Sequence, residues 1–304
     1  MKIVFFGSSD FCTPSLKALI AKGYDIACVV TQPDKPKGRG MQVGVTPAKQ
    51  LAISSGIKIF QPTSVNSVES IAYLRSLGAD LFVVIAYGQI LSQEVLDIPK
   101  IAPINLHASL LPKYRGAAPI NWAIINGEKE TGVSLMKMVR LMDAGPVLCQ
   151  ESVVIKEADN AINLTEKLSN LGAELLIKGL KLIESGKYEL IAQDELKTTC
   201  APKLTKELGL IDWSDPADKI LRLIRGINLW PQAHTCLDGH NIKIISASVI
   251  EYSGPEKQPA PGKIIETGPQ GIIVSCGKGA LRIEKLKPEG RKEMTAGEFL
   301  RGKN

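Results

Sequence analysis

Asn105, His107 and Asp143 are the residues of this 304-residue chain whose types and spacing can do chemistry. Asn105 and His107 stand two apart in Ile104-Asn105-Leu106-His107, closing an apolar run. In an extended segment that spacing puts both side chains on one face. An imidazole moves protons near neutral pH, an amide donates to an oxygen gaining negative charge, and a carboxylate orients the imidazole. Asp143 comes in Met142-Asp143-Ala144-Gly145, followed by Pro146, so it sits on a tight turn, where an aspartate more commonly caps backbone. No cysteine and no activated serine accompanies the trio. The set points to direct acyl or group transfer onto a bound nucleophile, without a covalent enzyme intermediate. An incidental Asn-x-His at a strand end is the plain alternative.

The elements that must position these residues alternate between strand and helix. Apolar strands are predicted at 2–6, 25–31, 57–60, 81–86 and 101–106, and helices at 14–22, 47–55, 68–77 and 117–125. Thr46 reads as an N-cap with Pro47 behind it, and Gly23, Gly56 and Gly78 as helix stops. Further strands at 131–138 and 146–154 precede a long helix over 164–185. Such alternation defines a doubly wound, Rossmann-like α/β domain, whose ligands sit beyond the carboxyl ends of the strands, where Asn105 and His107 fall. From about residue 190 the pattern changes. A polar, lysine-bearing stretch reads as a linker, a helix covers 216–227, and five short strands with Gly and Pro turns follow. These predict a small OB-like barrel. The expected division is 1–189, a linker over 190–209, and 210–304.

Composition narrows the classes. Hydrophobic residues make 44% and charged residues 22%, as in ordinary globular chains, and no uninterrupted apolar run is long enough to span a bilayer. The N-terminus reads as a first buried strand and is too short for a signal peptide. Six scattered cysteines without a CxxC pair fit a reduced, cytoplasmic protein, and three histidines without ligand spacing predict no metal site. Gly7-Ser8-Ser9 follows the first strand without a G-x-G-x-x-G pattern. Asp34, at the distance of a ribose contact, therefore does not make a nicotinamide site.

The net charge of +6 permits a nucleic-acid partner. The loop over 32–45 is long for a strand-to-helix connection and carries Lys35, Lys37 and Arg39 against Asp34. It reads as a phosphate-contacting arm, with a solvated loop as the alternative. Residues 278–304 hold eight Lys or Arg against four Glu, and Lys197, Lys203 and Lys206 extend a positive track through the linker. A basic edge on an oligonucleotide-binding barrel is one reading, a solvated surface the other. Trp230-Pro231 reads as a core anchor.

Several pieces together carry a family resemblance. They are Gln32-Pro33-Asp34 with Gly38-Arg39-Gly40, Val84-Ile85-Ala86-Tyr87-Gly88, Ile104-Asn105-Leu106-His107, Ser109-Leu110-Leu111-Pro112, Tyr114-Arg115-Gly116, Asp143-Ala144-Gly145, Ile211-Asp212-Trp213 and Trp230-Pro231. Over nearly its whole length the chain resembles the methionyl-tRNA formyltransferase family. The first-half motifs are shared by all folate-dependent formyltransferases; the Gly-Arg-Gly loop and the second domain narrow the match. The resemblance implies 10-formyltetrahydrofolate as co-substrate, no metal, and the α-amino group of methionyl initiator tRNA as acceptor. It implies Asn105, His107 and Asp143 as the catalytic trio, with the base among His107 and Asp143 left open. It implies a folate pocket at Ser109, Leu110, Leu111 and Pro112 and at Ala86, Tyr87 and Gly88. Contacts to tRNA are expected from Lys35, Lys37 and Arg39, with Lys203 and Lys206 on the linker track. A monomer away from membranes is expected, with a family tail running somewhat past Asn304. Rival readings are a formyltransferase acting on a small amine or sugar nucleotide, a formyltetrahydrofolate hydrolase, and a non-catalytic RNA-binding module.

Overall fold

The computed structural model describes residues 1–37, 42–251 and 259–302. The chain forms two compact units. One comprises Met1–Gly116, Thr131–Val153 and Thr165–Ala201; the other comprises Ala117–Glu130, Val154–Leu164 and the residues from Pro202 on. The stretch 190–201, polar enough to read as linker, lies in the first unit.

The first unit is built on a seven-stranded sheet. Its strands are β1 (Lys2–Gly7), β2 (Asp25–Val30), β3 (Ile59–Phe60), β4 (Leu81–Ile85), β5 (Ala102–His107), β6 (Glu130–Lys137) and β7 (Val147–Val154), in the order β7-β6-β5-β4-β1-β2-β3. β3, β2, β1, β4 and β5 run parallel, and β6 pairs antiparallel with β5. All five residues of β4 and five of the six in β1 are buried. A parallel strand covered on both faces must be apolar throughout, so these strands read as continuous runs without alternation. Helices α1 (Thr13–Ala21), α2 (Pro47–Ser54), α3 (Val68–Ser76) and α4 (Gln93–Leu96) connect the strands. Side-chain oxygens of Thr46, Ser67 and Ser92 accept from the backbone N–H groups of Lys49, Ser70 and Val95, capping α2, α3 and α4. One core cluster gathers Val4, Phe6, Val30, Leu74, Phe82 and Val95.

The chain leaves β1 toward β2 and β3, then returns to β4 on the other side of β1. That reversal opens a crevice outside the carboxyl ends of β1 and β4, the standard ligand position in such sheets.

In the second unit a six-stranded sheet is formed by β8 (His234–Leu237), β9 (His240–Ile250), β10 (Ile264–Gly268), β11 (Gly271–Ser275), β12 (Ala280–Pro288) and β13 (Met294–Thr295). Its order is β8-β9-β12-β11-β10, with β13 on β12, and every pairing is antiparallel. The short strand β13 and a terminal helix (Ala296–Arg301), which carries a complete capping box from Thr295 and Glu298, were not evident from sequence pattern. Between Pro119–Ile125, which is α5, and Ala217–Gly226, which is α7, the Asn121 side chain donates to the Gly226 carbonyl at 2.7 Å. The long α6 (Ala161–Ser185) starts three residues before its expected position. Among the described residues no helix is long and apolar enough to cross a membrane.

Candidate active site

β5 carries Asn105 and His107 to its carboxyl end. Its pairing with β4 places Asn105 beside Val84, and its pairing with β6 places His107 beside Ser134. His107 is buried, and its Nε2 lies 2.9 Å from the carbonyl oxygen of Tyr114. A carbonyl only accepts, so Nε2 carries the proton and Nδ1 is the nitrogen left to gain or lose one. Nδ1 faces Asp143 Oδ2 at 3.7 Å. The same carboxylate oxygen accepts the Gly116 N–H at 2.9 Å, which fixes it against the ring. Among the described residues no protein group bonds the half-buried Asn105 amide, leaving its N–H groups for a ligand. The trio read from spacing is therefore brought to one end of the sheet.

The loops around it hold unusual backbone. Ala86, Tyr114 and Asp143 adopt φ of 47°, 61° and 52°, the left-handed region that side chains disfavour. Such conformations persist only where the surroundings impose them, and they gather at functional sites. Gly116, at φ 124°, passes so close to Ala201 that a Cβ would stand 2.6 Å from its carbonyl oxygen; at Gly145 a Cβ would collide with the Lys137 carbonyl. Around Tyr114 and Asp143 contacts come from the stretch that read as linker. Arg115 forms a paired salt bridge to Glu195, Nη2–Oε1 2.8 Å and Nη1–Oε2 3.0 Å. Its Nε and Nη2 donate to Gln193 Oε1 at 3.0 and 2.8 Å. Those hydrogen bonds from Arg115 hold the Glu195 carboxyl below the usual carboxylate range. Thr199 Oγ1 accepts the Tyr114 N–H at 2.8 Å, and Cys200–Ala201 pairs parallel with Arg115–Gly116.

The expected folate residues take two kinds of place. Ser109 donates its hydroxyl to the Lys113 carbonyl at 2.6 Å, while its own carbonyl accepts from Ser134 Oγ at 2.5 Å. Ser134 Oγ also accepts the Leu111 N–H, and Leu111 is buried against Met136 and Val147. Leu110 and Pro112 are half-buried. Ala86, Tyr87 and Gly88 leave the end of β4 at the crevice. The Tyr87 side chain turns into the core against Phe6, rings edge-on at 5.4 Å, and among the described residues its hydroxyl has no partner. At this turn the crevice is bordered by backbone together with Ala86 and Gly88. Burial pushes the Tyr87 phenol well above its ordinary range.

Ser8, which the sequence offers only as part of an incomplete glycine motif, ties the strand ends together. It donates to the Tyr87 carbonyl at 2.9 Å and accepts the Gln32 N–H at 3.1 Å. Asp34 is engaged by Lys49 and, at 2.8 Å, by Gln61 Nε2. The Lys49 bond first, then Gln61, holds its carboxyl below the usual value. Beyond this clamp Lys35–Lys37 pairs antiparallel with Gln42–Gly44, so the described part of the basic loop is paired rather than open coil, with Lys35 exposed. Arg39 lies outside the described residues. Lys203 and Lys206 are exposed in the second unit. Among the described residues no cluster of His, Cys, Asp and Glu could hold a metal.

A doubly wound sheet that presents a buried imidazole, a facing carboxylate and an open amide beside its crevice is the framework of a group-transfer enzyme. The family described as formyl transferase matches residues 1–180, and the formyl transferase C-terminal domain matches residues 203–304. A methionyl-tRNA formyltransferase of Caldanaerobacter subterraneus is 48% identical over 100% of this chain and 97% of its own length. That of Agathobacter rectalis is 45% identical over 99% and 96%. The chain belongs to the methionyl-tRNA formyltransferase family. A solved N-formyltransferase from Helicobacter canadensis, in complex with folinic acid and dTDP-3-aminofucose, shares the fold at a TM-score of 0.70 and 18% identity, covering 97% of this chain and 100% of that one.

Proposed function

We propose that this enzyme transfers the formyl group of 10-formyltetrahydrofolate to the α-amino group of methionyl initiator tRNA in the cytoplasm. The observation that carries the reading is the full-length similarity to methionyl-tRNA formyltransferases, on a chain whose His107, Asp143 and Asn105 converge at one sheet end. The crevice outside the carboxyl ends of β1 and β4, where the Ala86–Gly88 turn leaves the sheet, is the position in which such sheets bind ligands and is where the donor is placed in this reading.

The donor supplies an activated formyl carbon, which the neutral amine attacks. Asn105 donates to the formyl oxygen as negative charge builds there. His107, its Nε2–H committed to Tyr114, acts through Nδ1, and Asp143 stabilises the protonated ring. In this scheme the Nδ1–Asp143 pair takes the proton released by the attacking nitrogen and returns one to the departing folate nitrogen, so the pair ends as it began. Lys35 and Lys37, Arg39 in the same stretch of sequence, and Lys203 and Lys206 contact tRNA phosphates in this reading.

A panel of acceptors tests the reading. Charged initiator tRNA should accept formyl from the donor, and uncharged tRNA, free methionine and sugar nucleotides should not. Faster transfer to a sugar nucleotide than to charged tRNA would overturn the acceptor assignment.

A further inference from the structure

We propose that Gln193 is a positioning residue for Asp143. Both N–H groups of its side-chain amide are committed to one short turn, donating to the Asp143 carbonyl at 2.8 Å and the Gly145 carbonyl at 2.7 Å. Its Oε1 is in turn held by two guanidinium N–H groups of Arg115, and Arg115 is buried and locked by Glu195. The turn it grips is the one that must keep Asp143 at φ 52°, with the carboxylate 3.7 Å from His107 Nδ1. Gly145 leaves no slack, because its backbone lies hard against the Lys137 carbonyl.

Gln193 thus closes a rigid path from a buried cation to the carboxylate of the reacting pair. Arg115 directs its Nε, Nη1 and Nη2 groups at Gln193 and Glu195, and the two turn carbonyls receive their N–H donors from Gln193, which accepts on one side and donates on the other. A side-chain amide of this reach does both. Removing it frees the turn to relax toward ordinary φ, swinging the carboxylate away from the imidazole. Misplacements of about 1 Å at a reacting group can cost on the order of a hundredfold in rate.

The proposal rests on the reading of Asp143 as a participant in formyl transfer, and the test separates the two. Formyl transfer to charged tRNA is measured for wild type, Gln193→Ala, Gln193→Glu, Asp143→Asn and the double variants. Gln193→Glu keeps the acceptor toward Arg115 but sets a carboxylate oxygen against the two turn carbonyls. Both Gln193 variants should lose about tenfold or more in kcat, with KM for the donor within about twofold; loss of the hydrogen bonds they remove lowers the melting temperature, and kcat is read well below that transition. In the Asp143→Asn background the same changes should cost less than about twofold, because residues acting through one group are not additive. Full activity in Gln193→Glu, or an equal loss in both backgrounds, overturns the proposal while leaving Asp143 in place. Near-wild-type turnover in Asp143→Asn alone instead removes the reading on which it stands.

Discussion

Replacing Asp143 with Asn removes one negative charge and leaves an oxygen that can still accept the Gly116 N–H bonded at 2.9 Å. The lost interaction is between the carboxylate and His107 once its Nδ1 is protonated during transfer. At 3.7 Å and an effective dielectric of about 20, two unit charges attract by about 4 kcal/mol. Water entering the altered pair recovers part of that. A net loss of about 2.7 kcal/mol in transition-state stabilisation corresponds to ~100-fold in kcat. Because the carboxylate is not invoked in binding the donor, its KM should stay within about twofold. Asp143→Ala should lose similar activity and in addition leave the Gly116 N–H unpaired, which costs about 1 to 3 kcal/mol of stability. Single-turnover transfer to charged tRNA, with thermal melting of the same samples, separates the two losses. An Asn variant within twofold of wild-type kcat would refute a charge-based role.

His107→Ala should lower kcat by ~100-fold or more with donor affinity little changed, measured by single-turnover transfer and donor titration. Arg39→Ala should weaken tRNA use and flatten its salt dependence, while fluorescence titration of the folate alone stays normal; unchanged salt dependence would detach the arm from tRNA. Tyr87→Phe should leave melting unchanged or raise it, since it removes an unpartnered buried hydroxyl from an apolar cluster, and a clear drop in melting temperature would mean the hydroxyl is bonded. The Asp34 clamp gives a pH signature. Its carboxyl is held low in the folded state, so its stabilisation is complete above the unfolded value of about 4 and is lost as pH falls through the lower folded value. The melting difference between wild type and Asp34→Asn should therefore be flat above about pH 5 and shrink in more acidic buffer. A difference that grows on acidification would show the opposite shift.

The readable part of this chain is the part with local signal. Continuous apolar strands such as β4, helix caps such as Thr46 and the two-residue spacing of Asn105 and His107 follow from period and propensity, and all stand where they were expected. The supports of the site left no such mark. Gln193 and Glu195 meet Arg115 across about 80 residues, and in sequence they belong to a polar run indistinguishable from a solvated linker. Ser8 looked like part of an incomplete glycine motif, yet its hydroxyl and N–H join three strand ends. Tyr87 followed a motif to the crevice, but its side chain obeys burial and faces the core. Ala117–Glu130 runs between β5 and β6 and Val154–Leu164 leads from β7 into α6, and yet both fold with the second unit, a partition that composition does not encode.

Donor consumption and tRNA formylation, followed together in one reaction, address the central claim most directly. With charged initiator tRNA present, each 10-formyltetrahydrofolate consumed should yield one N-formylmethionyl-tRNA, and without it the donor should persist. Donor loss at the same rate without charged tRNA, or with no formylmethionine recovered from the tRNA, would contradict formyl transfer by Asn105, His107 and Asp143 to this acceptor.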